Sequence, residues 1–82
     1  MIKIYGSMLC KDCVQCRKDL DNWGVAYEYL DFADNLSHLK EFLAIRDKEA
    51  IFFHVKEEGR IGIPLLITPE GEMTLDWMQF AK

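Results

Sequence analysis

The chain has 82 residues, is 50% hydrophobic and 29% charged, and carries a formal net charge of −4. That length fits a single domain spanning residues 1–82 with a thin core, because a chain this short hides only about 60% of its unfolded surface. The mild acidity offers no electrostatic footprint for nucleic acid or an anionic membrane, and no apolar run approaches the roughly 20 residues of a membrane helix.

In chain order, Ile2 and Ile4 alternate with Lys3 and Tyr5 as a short first strand that Gly6 and Ser7 close. This opening lacks the apolar stretch of an export signal. After Cys10 the period changes. Cys13, Cys16, Leu20 and Trp23 fall on one stripe of a helix, with charged residues between them and Gly24 as its stop. Val25–Phe32 is rich in β-formers and predicts a second strand. A second helix begins near Asp34, Asn35 or Ser37, with Leu36, Leu39, Phe42, Leu43 and Ile45 as its apolar side. Ile51–Val55 reads as either a strand or a helical turn, and Lys56-Glu57-Glu58-Gly59 behind it favours a short helix. Ile63, Leu65 and Ile67 alternate around Pro64, and Pro69-Glu70-Gly71 turns the chain into Glu72–Leu75 as a hairpin. Asp76 and Gln79 resemble a capping box for a short last helix carrying Trp77 and Phe80. A strand–helix–strand start requires a parallel crossover, so a compact α/β sandwich follows.

The three cysteines, Cys10, Cys13 and Cys16, are clustered. A secreted disulfide scaffold spreads its cysteines to staple distant segments, so the clustering points to chemistry and a cytosolic setting. Cys10-Lys11-Asp12-Cys13 stands between the first strand and the first helix. There the first cysteine meets unpaired amide N–H groups and the positive end of the helix dipole, which favour a thiolate. Cys13, one turn inside, can reach the Cys10 sulfur. Cys10 would attack a substrate disulfide, and Cys13 would then attack Cys10 to release the product. Lys11 favours the thiolate, Asp12 opposes it, and their charges nearly cancel.

A second C-x-x-C, Cys13-Val14-Gln15-Cys16, overlaps the first. With Cys13 as nucleophile, the reactive sulfur would sit on the apolar stripe away from solvent, which favours Cys10 for that role. Cys16 then reads as a small core residue, with a second role open to it as an alternative partner for Cys13. The whole run is also three-quarters of a zinc or iron–sulfur ligand set, whose fourth ligand would be His38, His54, another chain or an exogenous thiol. Neither histidine has motif spacing to the cluster. No metal is therefore expected at the site, and a metal or iron–sulfur module remains the alternative reading. Pro64 belongs at a strand's first residue or at a bend. A cis Ile63–Pro64 bond makes such a bend, a trans proline opens an edge strand, and the residues leave both open.

Together these residues resemble the thioredoxin-fold superfamily, and within it the glutaredoxins and glutaredoxin-related small redoxins. Ile4-Tyr5-Gly6-Ser7-Met8-Leu9-Cys10-Lys11-Asp12-Cys13 is similar to the family's first strand and active-site loop. Gly62-Ile63-Pro64-Leu65-Leu66 followed by Glu70-Gly71-Glu72 resembles its cis-proline strand and hairpin. The resemblance implies a thioredoxin-like α/β fold of glutaredoxin size, with a four-stranded mixed sheet flanked by three or four helices. It implies a thiol–disulfide oxidoreductase with Cys10 as nucleophile and Cys13 as resolving thiol. It also implies a cis Pro64 packed against that pair, and Ile63 backbone groups that pair with a bound thiol peptide. Leu9 and Lys11, beside the nucleophile, complete the expected substrate contacts. Substrates would be protein disulfides or glutathione mixed disulfides, and electrons would come from glutathione or a thioredoxin-reductase-type enzyme. No bound cofactor, nucleic acid or membrane enters this expectation, and the setting is cytoplasmic.

The chain also departs from the family. Lys11 stands where glutaredoxins commonly carry proline, and Asp12 where an aromatic residue often follows. Glu72-Met73-Thr74-Leu75-Asp76 replaces the paired glycines and acid that hold glutathione's γ-glutamyl end, leaving Asp76 as either a glutathione contact or a helix cap. The tryptophan before the motif and the buried acid beneath it, typical of thioredoxins, are missing. A third reading makes the chain a redox-sensing interaction protein with little turnover, bound through the Met8-Leu9 loop and Ile63.

Overall fold

Strand β1 (Ile2–Gly6) runs through the middle of a four-stranded mixed sheet in the computed structural model, which describes residues 1–82. Helix α1 (Lys11–Asn22) carries the chain to β2 (Tyr27–Asp31), which lies parallel to β1 with Ile2 opposite Tyr27 and Gly6 opposite Asp31. Helix α2 (Leu36–Lys48), a 3-10 turn (Ala50–Phe52) and helix α3 (Phe53–Glu57) follow. Strand β3 (Leu65–Ile67) returns antiparallel beside β1, with Ile4 opposite Leu66, and β4 (Met73–Thr74) completes the order β2-β1-β3-β4. A second 3-10 turn, Trp77–Phe80, is the last element.

The alternation of side chains along each strand separates two cores. On one face Ile2, Ile4 and Leu66 meet Cys16 and Leu20 of α1, with Trp23, Tyr27, Tyr29, Trp77 and Phe80 packed around them. On the other face Tyr5, Leu30 and Leu65 meet Phe42 of α2, Phe52 and Val55. Full burial of each Leu or Phe contributes about 1.5–3 kcal/mol relative to exposure. The stripe expected on α1 is therefore the one buried, since Cys13, Cys16 and Leu20 are inaccessible to solvent. The Trp77 indole N–H donates to Asp19 Oδ2 at 2.8 Å, tying the last turn to α1.

Three expectations need correction, and one ambiguity is resolved toward the favoured short helix. The second strand is shorter than Val25–Phe32 because Val25 is still serving the helix: its N–H donates to the Leu20 carbonyl while Gly24 adopts φ +70°, a Schellman-type stop. The apolar side of α2 is narrower than predicted. Phe42 is buried, but Leu36 is 69% and Leu43 42% exposed. At about 100° per residue, Leu39 and Ile45 lie about 60° from Phe42, whereas Leu36 and Leu43 lie about 100° or more away and miss the sheet. The ambiguous Ile51–Val55 is a 3-10 turn leading into α3, with Gly59 at φ +72° as the stop. The expected Asp76–Gln79 capping box is rearranged. Asp76 does accept the Met78 N–H, but Gln79 donates to Thr74 Oγ1, and that hydroxyl accepts the Asp76 N–H.

Candidate functional site

Cys10 occupies the N-cap of α1 with extended backbone (φ −95°, ψ 124°), and its sulfur accepts the Cys13 N–H at 3.4 Å. The thiol thus satisfies one of the donors that any helix start leaves open. Before it the loop is pinned by the Cys10 N–H to the Ser7 carbonyl at 3.0 Å and the Leu9 N–H to Ser7 Oγ at 3.2 Å. Cys10 is partly exposed, whereas Cys13 and Cys16 are buried, and all three are free thiols. Across from Cys10, its Sγ lies 4.0 Å from the Ile63 carbonyl oxygen, and the Ile63–Pro64 bond is cis. Pro64 itself is buried at the entrance to β3.

Two grooves meet at Cys10. One, of about 380 Å³, is apolar and runs past Ser7, Leu9, Phe32, Ile61 and Ile63. The other, of about 290 Å³, carries Asp12 and Arg60 with Ile61 and Ile63 as the shared wall. Of the residues expected to contact substrate, Ile63 and Leu9 line these grooves, and Leu9 is 96% exposed. Lys11 and Asp76 line neither groove, and the Asp76 carboxylate caps the last turn. The wall is braced from α2, where Arg46 donates through Nε to the Ile61 carbonyl at 2.7 Å and through Nη2 to the Arg60 carbonyl at 2.8 Å.

Behind Cys10 the environment changes. Burial pushes the Cys13 thiol up to about 12; the Ser7 backbone opposes the shift, Cys10 adds to it, and the Tyr29 hydroxyl opposes it. Burial, with Asp19 adding to it, likewise pushes Cys16 up to about 12. Cys16 packs with Ile2, Ile4, Leu20 and Leu66 in the core, and no group of three or more His, Cys, Asp or Glu side chains converges as a metal site. His38 Nδ1 bonds to the Asp31 carbonyl at 3.0 Å, and the His54 ring stands edge-on to Phe53.

Three residues of this site escaped sequence reasoning. Gly6 belongs to β1 and is not merely its terminator. A Cβ on it would come within 2.8 Å of Cys13 Sγ and 2.9 Å of the Tyr29 hydroxyl, so only glycine lets α1 sit this close to the strand. Tyr29 is the second, and the period-2 pattern of Tyr27 and Tyr29 is the signal that could have placed it on the α1 face. The third is Asp31, which is buried at the end of β2, its Oδ1 accepting the Ala33 N–H at 2.8 Å. This carboxylate turns the backbone out of the sheet.

No helix is long and apolar enough to cross a membrane. No family model matches the chain, and no solved structure matches it. An uncharacterized protein of Haemophilus influenzae is 37% identical over 67 residues, an alignment that spans 82% of this chain and 78% of that protein. With that identity across most of both chains, this protein and the Haemophilus influenzae protein belong to one family.

Proposed function

We propose that the protein is a cytoplasmic thiol–disulfide oxidoreductase with a thioredoxin-like fold, related to the glutaredoxins and working by a dithiol mechanism. The observation that carries this reading is the asymmetry of the Cys10–Cys13 pair. One sulfur is accessible at a helix N-cap and hydrogen-bonded by the N–H of the other cysteine, while the second sulfur is buried directly behind it. Cys10 attacks a substrate disulfide and forms a mixed disulfide. Cys13 then attacks Cys10, and the substrate leaves as a thiol.

The fold supports this reading by placing the pair at the β1–α1 junction of a mixed sheet, opposite the backbone of Ile63. A thiol peptide laid along the apolar groove past Leu9 and Ile61 would run beside the Ile63 backbone, whose carbonyl faces the Cys10 thiol, and could pair with that backbone. The substrates are protein disulfides or glutathione mixed disulfides. Glutathione or a thioredoxin-reductase-type enzyme supplies the electrons. No bound cofactor is required, since both electrons come from the cysteine pair itself.

Replacement of Cys13 by serine tests the assignment. Incubated with a disulfide peptide or with glutathione disulfide, Cys13→Ser is expected to accumulate a mixed disulfide on Cys10, and Cys10→Ser to form none. Trapping that survives loss of Cys10 but needs Cys13 would reverse the two roles. Coupling the wild-type protein to glutathione reductase plus glutathione, and separately to thioredoxin reductase, identifies the donor.

A further inference from the structure

Tyr29 stands out as the one residue whose buried side-chain oxygen has no hydrogen-bond partner. An unpaired buried hydroxyl costs about 1–3 kcal/mol, so its position calls for a physical reason. Its ring lies on the α1 face of β2, and its hydroxyl shares with Cys13 Sγ the space in front of Gly6, 2.9 Å and 2.8 Å from the point a Cβ would occupy. The Arg17 guanidinium sits over the same ring, 4.3 Å from its centroid. That cation draws electron density from the ring and makes the phenol a stronger hydrogen-bond donor.

We propose that the Tyr29 hydroxyl is a positioning group for the resolving step: it donates a hydrogen bond to the Cys13 sulfur as that sulfur becomes a thiolate. The inference rests on the dithiol reading above. In the thiol form the sulfur is a weak acceptor and the hydroxyl stays unpaired; in the thiolate form the sulfur becomes a strong acceptor beside that hydroxyl, and the two close into a charge-assisted bond. Burial pushes the Tyr29 phenol well above its ordinary value, Cys13 and Asp31 add to the rise, and Arg17 opposes it, so the phenol keeps its proton. The groups facing the pair are Cys10 and the Ser7 backbone from the loop, Arg17 from α1 and Asp31 from β2. Of these, Arg17 is the cation. In the step itself a Cys13–Cys10 S–S bond forms and the bond from Cys10 to the substrate sulfur breaks. The electron pair goes to the substrate sulfur, which takes up through water the proton that Cys13 released. Tyr29 ends as it began.

Tyr29→Phe tests this without disturbing the fold, because the ring stays beneath Arg17 and only the unpaired polar atom is lost. In a Cys10→Ser background, the Cβ chemical shift of Cys13 reports its titration, and Tyr29→Phe is expected to move that titration to higher pH. In the otherwise wild-type protein carrying a chromogenic aromatic thiol on Cys10, release of that thiol at neutral pH is expected to slow about tenfold. Its pH profile should move upward with the titration. Tyr29→Phe with unchanged Cys13 titration and unchanged release would overturn the proposal, whatever happens to the melting temperature. Should the wild type release nothing, the dithiol reading fails, and the Cys13 titration still decides the role of Tyr29.

Discussion

The backbone N–H of Cys13 points at the sulfur of Cys10 from 3.4 Å, so the first thiol caps the helix that buries the second. Exposure and burial are thereby assigned by one turn of backbone. Alkylation of the reduced native protein with iodoacetamide should label Cys10 alone. Cys13 and Cys16 should react on the order of a hundredfold more slowly, through opening of the fold. Mass mapping of the labelled peptides checks this, and all three cysteines should react at similar rates in denaturant.

Gly6 and Gly62 predict two different costs. Gly6→Ala pushes a methyl group against Cys13 Sγ and the Tyr29 hydroxyl, an overpacking worth about 1–3 kcal/mol. Gly62→Ala adds backbone strain at φ +95° to a 2.8 Å approach to the Phe52 ring, and Phe52 is fully buried and cannot yield. Its loss should be larger, about 2–4 kcal/mol. Urea unfolding of the two variants ranks them.

The Arg46 fork gives a test of the groove wall. Arg46→Ala removes the bonds to the Ile61 and Arg60 carbonyls and should cost about 1 kcal/mol while slowing mixed-disulfide formation on Cys10 a few-fold. Arg46→Lys keeps the charge without the planar fork and should recover little of that rate. An unchanged rate in Arg46→Ala would show that the loop holds its shape without α2.

Alkaline pH should destabilise the reduced protein. Burial raises the Cys16 thiol from 9.0 to about 12 in the folded state. Between those values the unfolded chain has released a proton that the folded chain still holds, so stability is full below about pH 9 and falls as pH rises toward 12. Cys13 is raised to about 12 chiefly by burial, and Tyr5, raised from 10.0 to about 12 by burial and its bond to Glu41, extends the same trend. Cys16→Ala should cost about 1 kcal/mol near neutral pH and make the alkaline decline shallower. Urea titrations at about pH 7 and about pH 10 measure both effects.

The local half of the site was legible because local rules govern it. A C-x-x-C ahead of an apolar stripe fixes where α1 starts and which of its faces is buried, and Cys13, Cys16 and Leu20 follow from that period. Proline before an apolar strand marked the segment opposite, and Ile63 does lie against Cys10. What sequence could not supply depends on contacts across the sheet. Gly6 looked like a turn residue because nothing local reveals that α1 presses on it. Tyr29 looked like any aromatic in a strand until the register of β2 on β1 set its hydroxyl beside a sulfur. Leu36 and Leu43 were misassigned for the same reason, since residue type alone does not say how much of a helix the sheet can cover.

The bond from Trp77 to Asp19 has a practical consequence. One indole is fastened to the half-buried Asp19 of the helix whose start carries the cysteines, and its ring rests on the core that the same helix covers. Under the dithiol mechanism proposed above, any shift of this helix on joining Cys10 to Cys13 would reach that indole, and tryptophan emission of the reduced and oxidised protein should differ with no label attached.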